Sequence, residues 1–225
     1  MARVLAFSCT HAPAMHKDAI KHLKKVYKKH RCNKVVMLGD IVDNGSISYH
    51  QKALNLRDPY REYKHAFKQV QKLYQAFPKA DLLIGNHCAN YMRKALDAEL
   101  PEYAIRSVSE MYSLDNWIEH PRYTKLEVDG VLYYHGDQGR AGKTPALANA
   151  EIEFKSVVMG HHHQAAGVWY HANESKLVFG MNVGCLLDHT HLQMEYGRKF
   201  NKKPILGCGV VIDGHTGIFE PLIMK

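Results

Sequence analysis

Five short segments of this chain carry metal-capable side chains, and each follows an apolar run. Val4-Leu5-Ala6-Phe7 leads into Ser8-Cys9-Thr10-His11, Val35-Val36-Met37-Leu38 into Gly39-Asp40-Ile41-Val42-Asp43, and Leu82-Leu83-Ile84 into Gly85-Asn86-His87. Further on, Val131-Leu132-Tyr133-Tyr134 leads into His135-Gly136, and Val157-Val158-Met159 into Gly160-His161-His162-His163. A lone histidine after a strand is ordinarily a satisfied core or loop residue. Five glycine-flanked clusters in equivalent places are another matter, because ligands bind at the carboxyl ends of the strands in α/β sheets. Glycine has its own reason here, since it lets the backbone turn tightly and approach a bound ion.

The elements that must position these clusters read as strands alternating with helices, an α/β pattern. After the first strand, Ala19, Ile20, Leu23, Val26 and Tyr27 recur at helical spacing, while Lys17, Lys21, Lys24, Lys25, Lys28 and Lys29 make a basic outer face. A solvated lysine face explains that pattern more simply than nucleic-acid contact does. A second helix carries Tyr63, Ala66, Phe67, Val70, Leu73, Tyr74 and Phe77 on one face and stops at Pro78. Residues 89–119 read as helical pieces broken at Pro101. Residues 123–128 and 131–134, joined by Asp129-Gly130, read as a hairpin. Further strands are expected at 156–159, 167–171, 177–183, 206–212 and 218–222. With no repeat or low-complexity linker, residues 1–225 are expected to form a single domain, α/β in its first half and strand-rich in its second.

At 225 residues, 46% hydrophobic and 23% charged, the chain has the composition of a soluble globular protein, not a disordered, collagenous or membrane-embedded one. No apolar run approaches the ~18 residues of a spanning helix, and the N-terminal apolar stretch is too short for a signal peptide. Five scattered cysteines without a C-x-x-C pair fit neither a disulfide framework nor a zinc knuckle, so a reducing, cytoplasmic setting without membrane association is expected. A net charge of +8 favours anionic partners such as nucleic acid or phosphorylated small molecules. Histidine is in excess, 16 residues, as many as glycine.

The ordered set of clusters resembles the calcineurin-like metallophosphoesterases, whose pattern runs D-x-H, G-D-x-x-D, G-N-H, H-G or G-H, and G-H-x-H. The match spans residues 8–163, and residues 181–188 and 204–210 look like a phage-encoded branch, which would place the protein in a host cytoplasm. The resemblance implies a four-layer α/β/β/α sandwich holding two divalent or trivalent metal ions, with Mn, Zn and Fe the leading identities. It implies that Asp40 bridges both ions, that Cys9, His11 and His163 complete one site, and that Asn86, His135 and His161 complete the other. Asn86 and His87 would meet the substrate phosphate, with His87 protonating the leaving oxygen. His162 is left out, because in an extended segment it points away from His161 and His163.

Three departures from the pattern bear on function. Cys9 stands where the family has Asp; as a thiolate it would ligate and favour Zn or Fe over Mg or Mn, and the other reading is a vacant position filled by a small buried residue. Cys88 follows G-N-H where Asp or Glu is usual, so the bond orienting His87 must come from elsewhere, with Asp43 the candidate. Asn44 replaces the phosphate-gripping Arg of protein phosphatases. The run Gly139-Arg140-Ala141-Gly142-Lys143-Thr144 ends like a P-loop but has Asp137 where the first glycine belongs, so Arg140 and Lys143 read as a basic loop able to hold a flanking phosphate. Tyr91, Tyr133, Tyr134, Trp169 and Tyr170 are core residues or base-stacking platforms. Residues 44–60, 88–122 and 136–150 are the loops from which substrate choice would come.

The leading expectation is a metal-dependent phosphodiesterase acting on nucleic acid or nucleotide diesters. The alternatives are a phosphomonoesterase, on small molecules or phosphoproteins, and a non-catalytic binding module with a degenerate metal site.

Overall fold

The computed structural model describes residues 1–49, 56–197 and 201–223. Its strands form two mixed sheets. The first contains β1 (Arg3–Phe7), β2 (Lys34–Met37), β3 (Ala80–Leu83) and β4 (Trp117–His120), all parallel, extended beyond β1 by antiparallel β10 (Gly207–Ile212) and β11 (Thr216–Pro221). The second has the order β5-β6-β7-β9-β8, from Leu126–Val128, Val131–Tyr134, Ser156–Met159, Leu177–Val183 and Ala166–Ala172. Within it β6, β7 and β9 are parallel.

Alternation along each strand builds the layers. In the first sheet Val4, Ala6, Val36, Leu38 and Leu83 face inward, meeting Val131, Tyr133, Val158, Phe179 and Met181 of the second. The intervening residues Leu5, Phe7, Val35, Met37 and Leu82 face outward. They are covered by the buried stripes of α1 (Ala19–Lys29), Ala19, Leu23 and Val26, and of α2 (Pro59–Ala76), Ala66, Val70 and Leu73. On the far side, Ala146 and Ala150 of α5 (Pro145–Glu153) pack on Leu132, Tyr134, Val157 and Met159. The result is the α/β/β/α sandwich. Because both faces of the second sheet are covered, Tyr133 and Tyr134 point oppositely and are both buried.

Two expectations need correction. Residues 89–119 do contain α3 (Asn90–Asp97) and the single-turn α4 (Val108–Met111), but the segment closes with strand β4. Its short Trp-Ile-Glu-His run pairs with β3 at the sheet edge, with Trp117 buried and Ile118 exposed. The other correction concerns residues 161–163. His161 takes φ 59°, His162 N donates to Gly160 O and His163 N to His161 O, so the segment is coiled, not extended. His162 therefore lines the same cavity as its neighbours. Of the loop 44–60, residues 50–55 lie outside the described residues. Among the described residues no helix is long and apolar enough to cross a membrane.

Candidate metal centre

The carboxyl ends of β1, β2 and β3 in one sheet and of β6 and β7 in the other deliver the five polar clusters to one place. Backbone bonds lash their loops together: Cys9 N donates to Gly39 O, His11 N to Asp40 O, Gly160 N to His135 O and Leu186 N to Cys9 O, all at 3.0–3.1 Å. Cys9, His11, Asp40 and His161 all hold positive φ, between 46° and 59°. Such conformations cost of order 1 kcal/mol each and gather where function over-determines the backbone. Glycine matters most at Gly85, where an added Cβ would land on the Asp40 carboxylate, and at Gly39, at φ 95°, where it would lie 2.6 Å from His135 Nδ1.

The donor atoms converge with their protons tied elsewhere. His135 Nδ1 lies 2.7 Å from Leu38 O, and a carbonyl only accepts, so Nδ1 carries the proton. Its Nε2 lies 3.0 Å from Asp40 Oδ2 and 3.0 Å from Asn86 Oδ1, two acceptors, so that a second ring proton or a cation must stand between them. Likewise His11 Nδ1 donates to Asp43 Oδ1 at 2.9 Å, leaving Nε2 facing His163 Nε2 at 3.2 Å. Acceptors facing acceptors in a buried site call for a shared proton or a cation. Cys9, 0% exposed, belongs to both groups: its Sγ lies within 4.8 Å of the His11 and His163 ligand atoms, and equally of those of Asp40 and His135. These donor groups fit metal binding. His161 completes the ring, its imidazole 5.1 Å from that of His135.

Charge follows the same geometry. Burial pushes the Asp40 carboxyl up, but His135, His87 and His11 outweigh it and hold the group well below the usual range. Asp43 is lowered to about 2 in the same way, burial being overcome by hydrogen bonds from His11 and His87. For His87, burial is overcome by Asp40 and Asp43, and its pKa rises to about 9. Burial, then the His135 charge, lowers His161 to about 4, while burial and His11 hold His163 well below its ordinary value. Burial, reinforced by Asp40, raises the Cys9 thiol, so forming the thiolate requires a cation.

Beyond the ligand atoms, Asp43 reaches His87: its backbone oxygen accepts from Nδ1 at 2.9 Å and its Oδ1 lies 3.1 Å from the same atom. Cys88 is packed into the core beneath α2, its thiol raised to about 12 by burial. Two positioning residues escape a reading of the sequence. Asn44, at φ 50°, donates from Nδ2 to His87 O at 3.0 Å, and Glu62 of α2 accepts from Gly45 N and Ser46 N. Asn44 leaves a local signal in asparagine's tolerance of left-handed backbone; Glu62, reaching across from a helix, leaves none.

A cavity of about 390 Å³ opens over the centre, with Asp40, His87, His161, His162 and His163 in its walls. Lys143 lines it and Arg140 does not; the Arg140 backbone is bound to Asn149 instead. None of Tyr91, Tyr133, Tyr134, Trp169 or Tyr170 lines it.

Comparison with known proteins adds the following. The calcineurin-like phosphoesterase family model matches residues 2–216. Among solved structures, similarity is found to Yfce, a phosphoesterase from E. coli, at 13% identity and TM-score 0.41, covering 94% of this chain and 88% of that one. It is also found to Vps29 from Cryptosporidium parvum, at 14% identity and TM-score 0.46, covering 97% and 98%. A metallophosphoesterase from Sphaerobacter thermophilus matches at 14% identity and TM-score 0.40, covering 93% and 82%. The curated proteins give no match.

Proposed function

The chain belongs to the calcineurin-like phosphoesterase family and is thus a phosphate ester hydrolase, and from that premise we propose that it is a metal-dependent phosphodiesterase acting on nucleotide or nucleic-acid diesters. The observation that carries the reading is the convergence of lone pairs from His11, His163, His135, Asp40 and Asn86 on one buried centre. In this reading Asp40 would serve both ions, Cys9, His11 and His163 would hold one, and Asn86, His135 and His161 would hold the other. The ions would be Mn, Zn or Fe, with the Cys9 thiolate weighting the choice toward the softer metals. When bound, paired cations supply charge neutralisation at the phosphoryl group and a nucleophile from water at neutral pH.

The protein's own groups do the rest. Asp43 fixes the His87 ring with Nδ1–H bound and Nε2 left for the cavity. In the metal-free protein Asp40 and Asp43 raise His87 to a pKa of about 9, and its protonated form is the one that would give a proton to a departing alkoxide. Asn44 spends its amide on the His87 and Cys88 carbonyls and offers no bidentate grip to a phosphoprotein's monoester. Five free, buried cysteines suit a reducing cytoplasm.

The test is turnover by chelator-stripped protein supplied in turn with Mn, Zn, Co and Fe. Bis(p-nitrophenyl) phosphate should be cleaved faster than p-nitrophenyl phosphate. Faster cleavage of the monoester overturns the diester reading, and no turnover with any metal overturns catalysis.

A further inference from the structure

The positive charge of this chain is concentrated in two helices. Together α1 and α2 carry nine Lys and Arg against one Glu, a net of +8, which equals the charge of the whole chain, so the remaining residues sum to zero. Each helix buries one stripe on the first sheet, Ala19, Leu23 and Val26 in α1 and Ala66, Val70 and Leu73 in α2. The basic residues fall on the opposite side. Lys21, Lys24 and Lys28 recur at spacings of three and four, as do Arg61, Lys64, Lys68 and Lys72, and all seven are exposed. The helices touch one another, so the two stripes belong to one outer layer. Its single acid, Glu62, is bonded to Gly45 N, Ser46 N and Gln193 Nε2.

A solvated lysine face does not account for this layer. Such faces ordinarily mix signs, because like charges three or four residues apart destabilise a helix. Lys21 and Lys24, Lys24 and Lys28, Lys64 and Lys68, and Lys68 and Lys72 are all such pairs. Among the described residues Lys29, with Glu220, is the one Lys or Arg of the two helices in an ion pair. The rest of the repulsion is left for a partner of opposite charge to relieve. A helix that lies on a membrane presents apolar residues beside its lysines; α1 exposes no large apolar side chain, and its Ile20 and Tyr27 pack against the core. Single-strand binders add aromatic rings on which bases stack; here Tyr60 lies under Lys64 Nζ, and Tyr63 donates its hydroxyl to Met111 O. Cations without apolar anchors or stacking platforms suit the phosphate backbone of a duplex, which is held by charge. From Arg61 to Lys72 the stripe runs about 16 Å, the length of about five phosphates along one strand.

The layer is also bonded to the loops of the metal centre. Gln69 of α2 accepts from Met15 N at 3.2 Å and donates to Pro13 O at 2.8 Å, in the loop that follows His11. Glu62 holds the turn whose Asn44 bonds His87 O. We propose that the exposed faces of α1 and α2 dock the phosphate backbone of a nucleic-acid duplex. The inference rests on the diesterase reading and selects a polynucleotide over a free nucleotide as its substrate.

Binding tests it apart from catalysis. Chelator-stripped protein is titrated into a fluorescein-labelled DNA duplex and followed by anisotropy over a range of salt concentrations. The logarithm of the binding constant should fall linearly with that of the salt concentration. K21Q/K24Q/K28Q and K64Q/K68Q/K72Q should each weaken binding at least about tenfold and make the slope shallower by about 2–3, since each lost phosphate contact removes about 0.9. Lys→Arg replacements at the same positions should keep both near wild type. K125Q/K155Q/K176Q removes as much charge beside the strands of the second sheet and should leave binding near wild type. Should one helix variant not fold, the other supplies the comparison. An unchanged slope in the helix variants, equal weakening in the second-sheet variant, tighter binding to the unpaired strand, or preference for phosphatidylserine vesicles over the duplex overturns the docking surface. Absence of bis(p-nitrophenyl) phosphate turnover in the metal-loaded wild type would instead strike the diesterase reading and leave the binding result standing.

Discussion

Asp43→Asn removes one negative charge from a carboxylate oxygen that serves two imidazoles, at 2.9 Å from His11 Nδ1 and 3.1 Å from His87 Nδ1. In the metal-free protein His87 has a pKa of about 9, and after Asp40 the contributions that raise it come from Asp43. Losing a charge at this distance lowers a histidine by roughly 2 pH units. At pH 8 the protonated fraction would then fall from about 90% to about 10%. The effect reaches stability. The folded pKa lies above the ordinary 6.5, so the interaction stabilises fully below pH 6.5 and is lost as pH rises through 9. Wild-type metal-free protein should therefore lose several degrees of Tm between pH 6.5 and 9.5, and Asp43→Asn should flatten that slope. Because the bond that orients His11 also loses its charge assistance, metal affinity should drop about 10–100-fold. The assay is an NMR titration of the imidazole Cε1 protons in metal-free protein, with His87 assigned by His87→Gln, alongside a metal titration. A His87 that still titrates near 9 in Asp43→Asn, with wild-type metal affinity, refutes the reasoning.

The thiol at the centre gives a spectroscopic prediction. Co(II)-loaded protein should show a thiolate-to-cobalt charge-transfer band that vanishes in Cys9→Ser, and Cys9→Asp should shift preference toward Mn and Mg; a band that persists in Cys9→Ser removes Cys9 from the ligand set. His87→Ala should keep its metals yet lose about 10²–10⁴-fold in kcat on a diester with a poor leaving group; full activity would remove it as the acid. Gly85→Ala places a methyl group on the Asp40 carboxylate. It should cost about 1–3 kcal/mol in thermal unfolding and weaken metal binding, and an unchanged Tm and affinity would contradict that packing.

Much of the site is legible in the sequence because its donors sit where β-runs end, and a run such as Val35–Leu38 broken by Gly39-Asp40 marks that place without any knowledge of the fold. Asp43 is recoverable in the same way, once Cys88 is seen to lack the chemistry to orient His87. What is not legible depends on contacts distant in the chain. Glu62 holds the Asn44–Ser46 turn from a helix whose pattern announces only its buried face. Lys202 and Lys203 reach the cavity because residue 205 pairs with residue 163. His162 is misplaced by assuming an extended segment, whereas His161 adopts a left-handed backbone. Strand β4 is hidden because four residues at a sheet edge need no alternating pattern to pair.

The proposed two-ion centre is organised around Asp40, and metal stoichiometry measures it directly. Stripped protein reloaded with Zn or Mn, desalted and analysed for bound metal should hold two ions per chain, and Asp40→Ala, still folded by circular dichroism, should hold none. A single ion in the wild type, or two retained by Asp40→Ala, would contradict it.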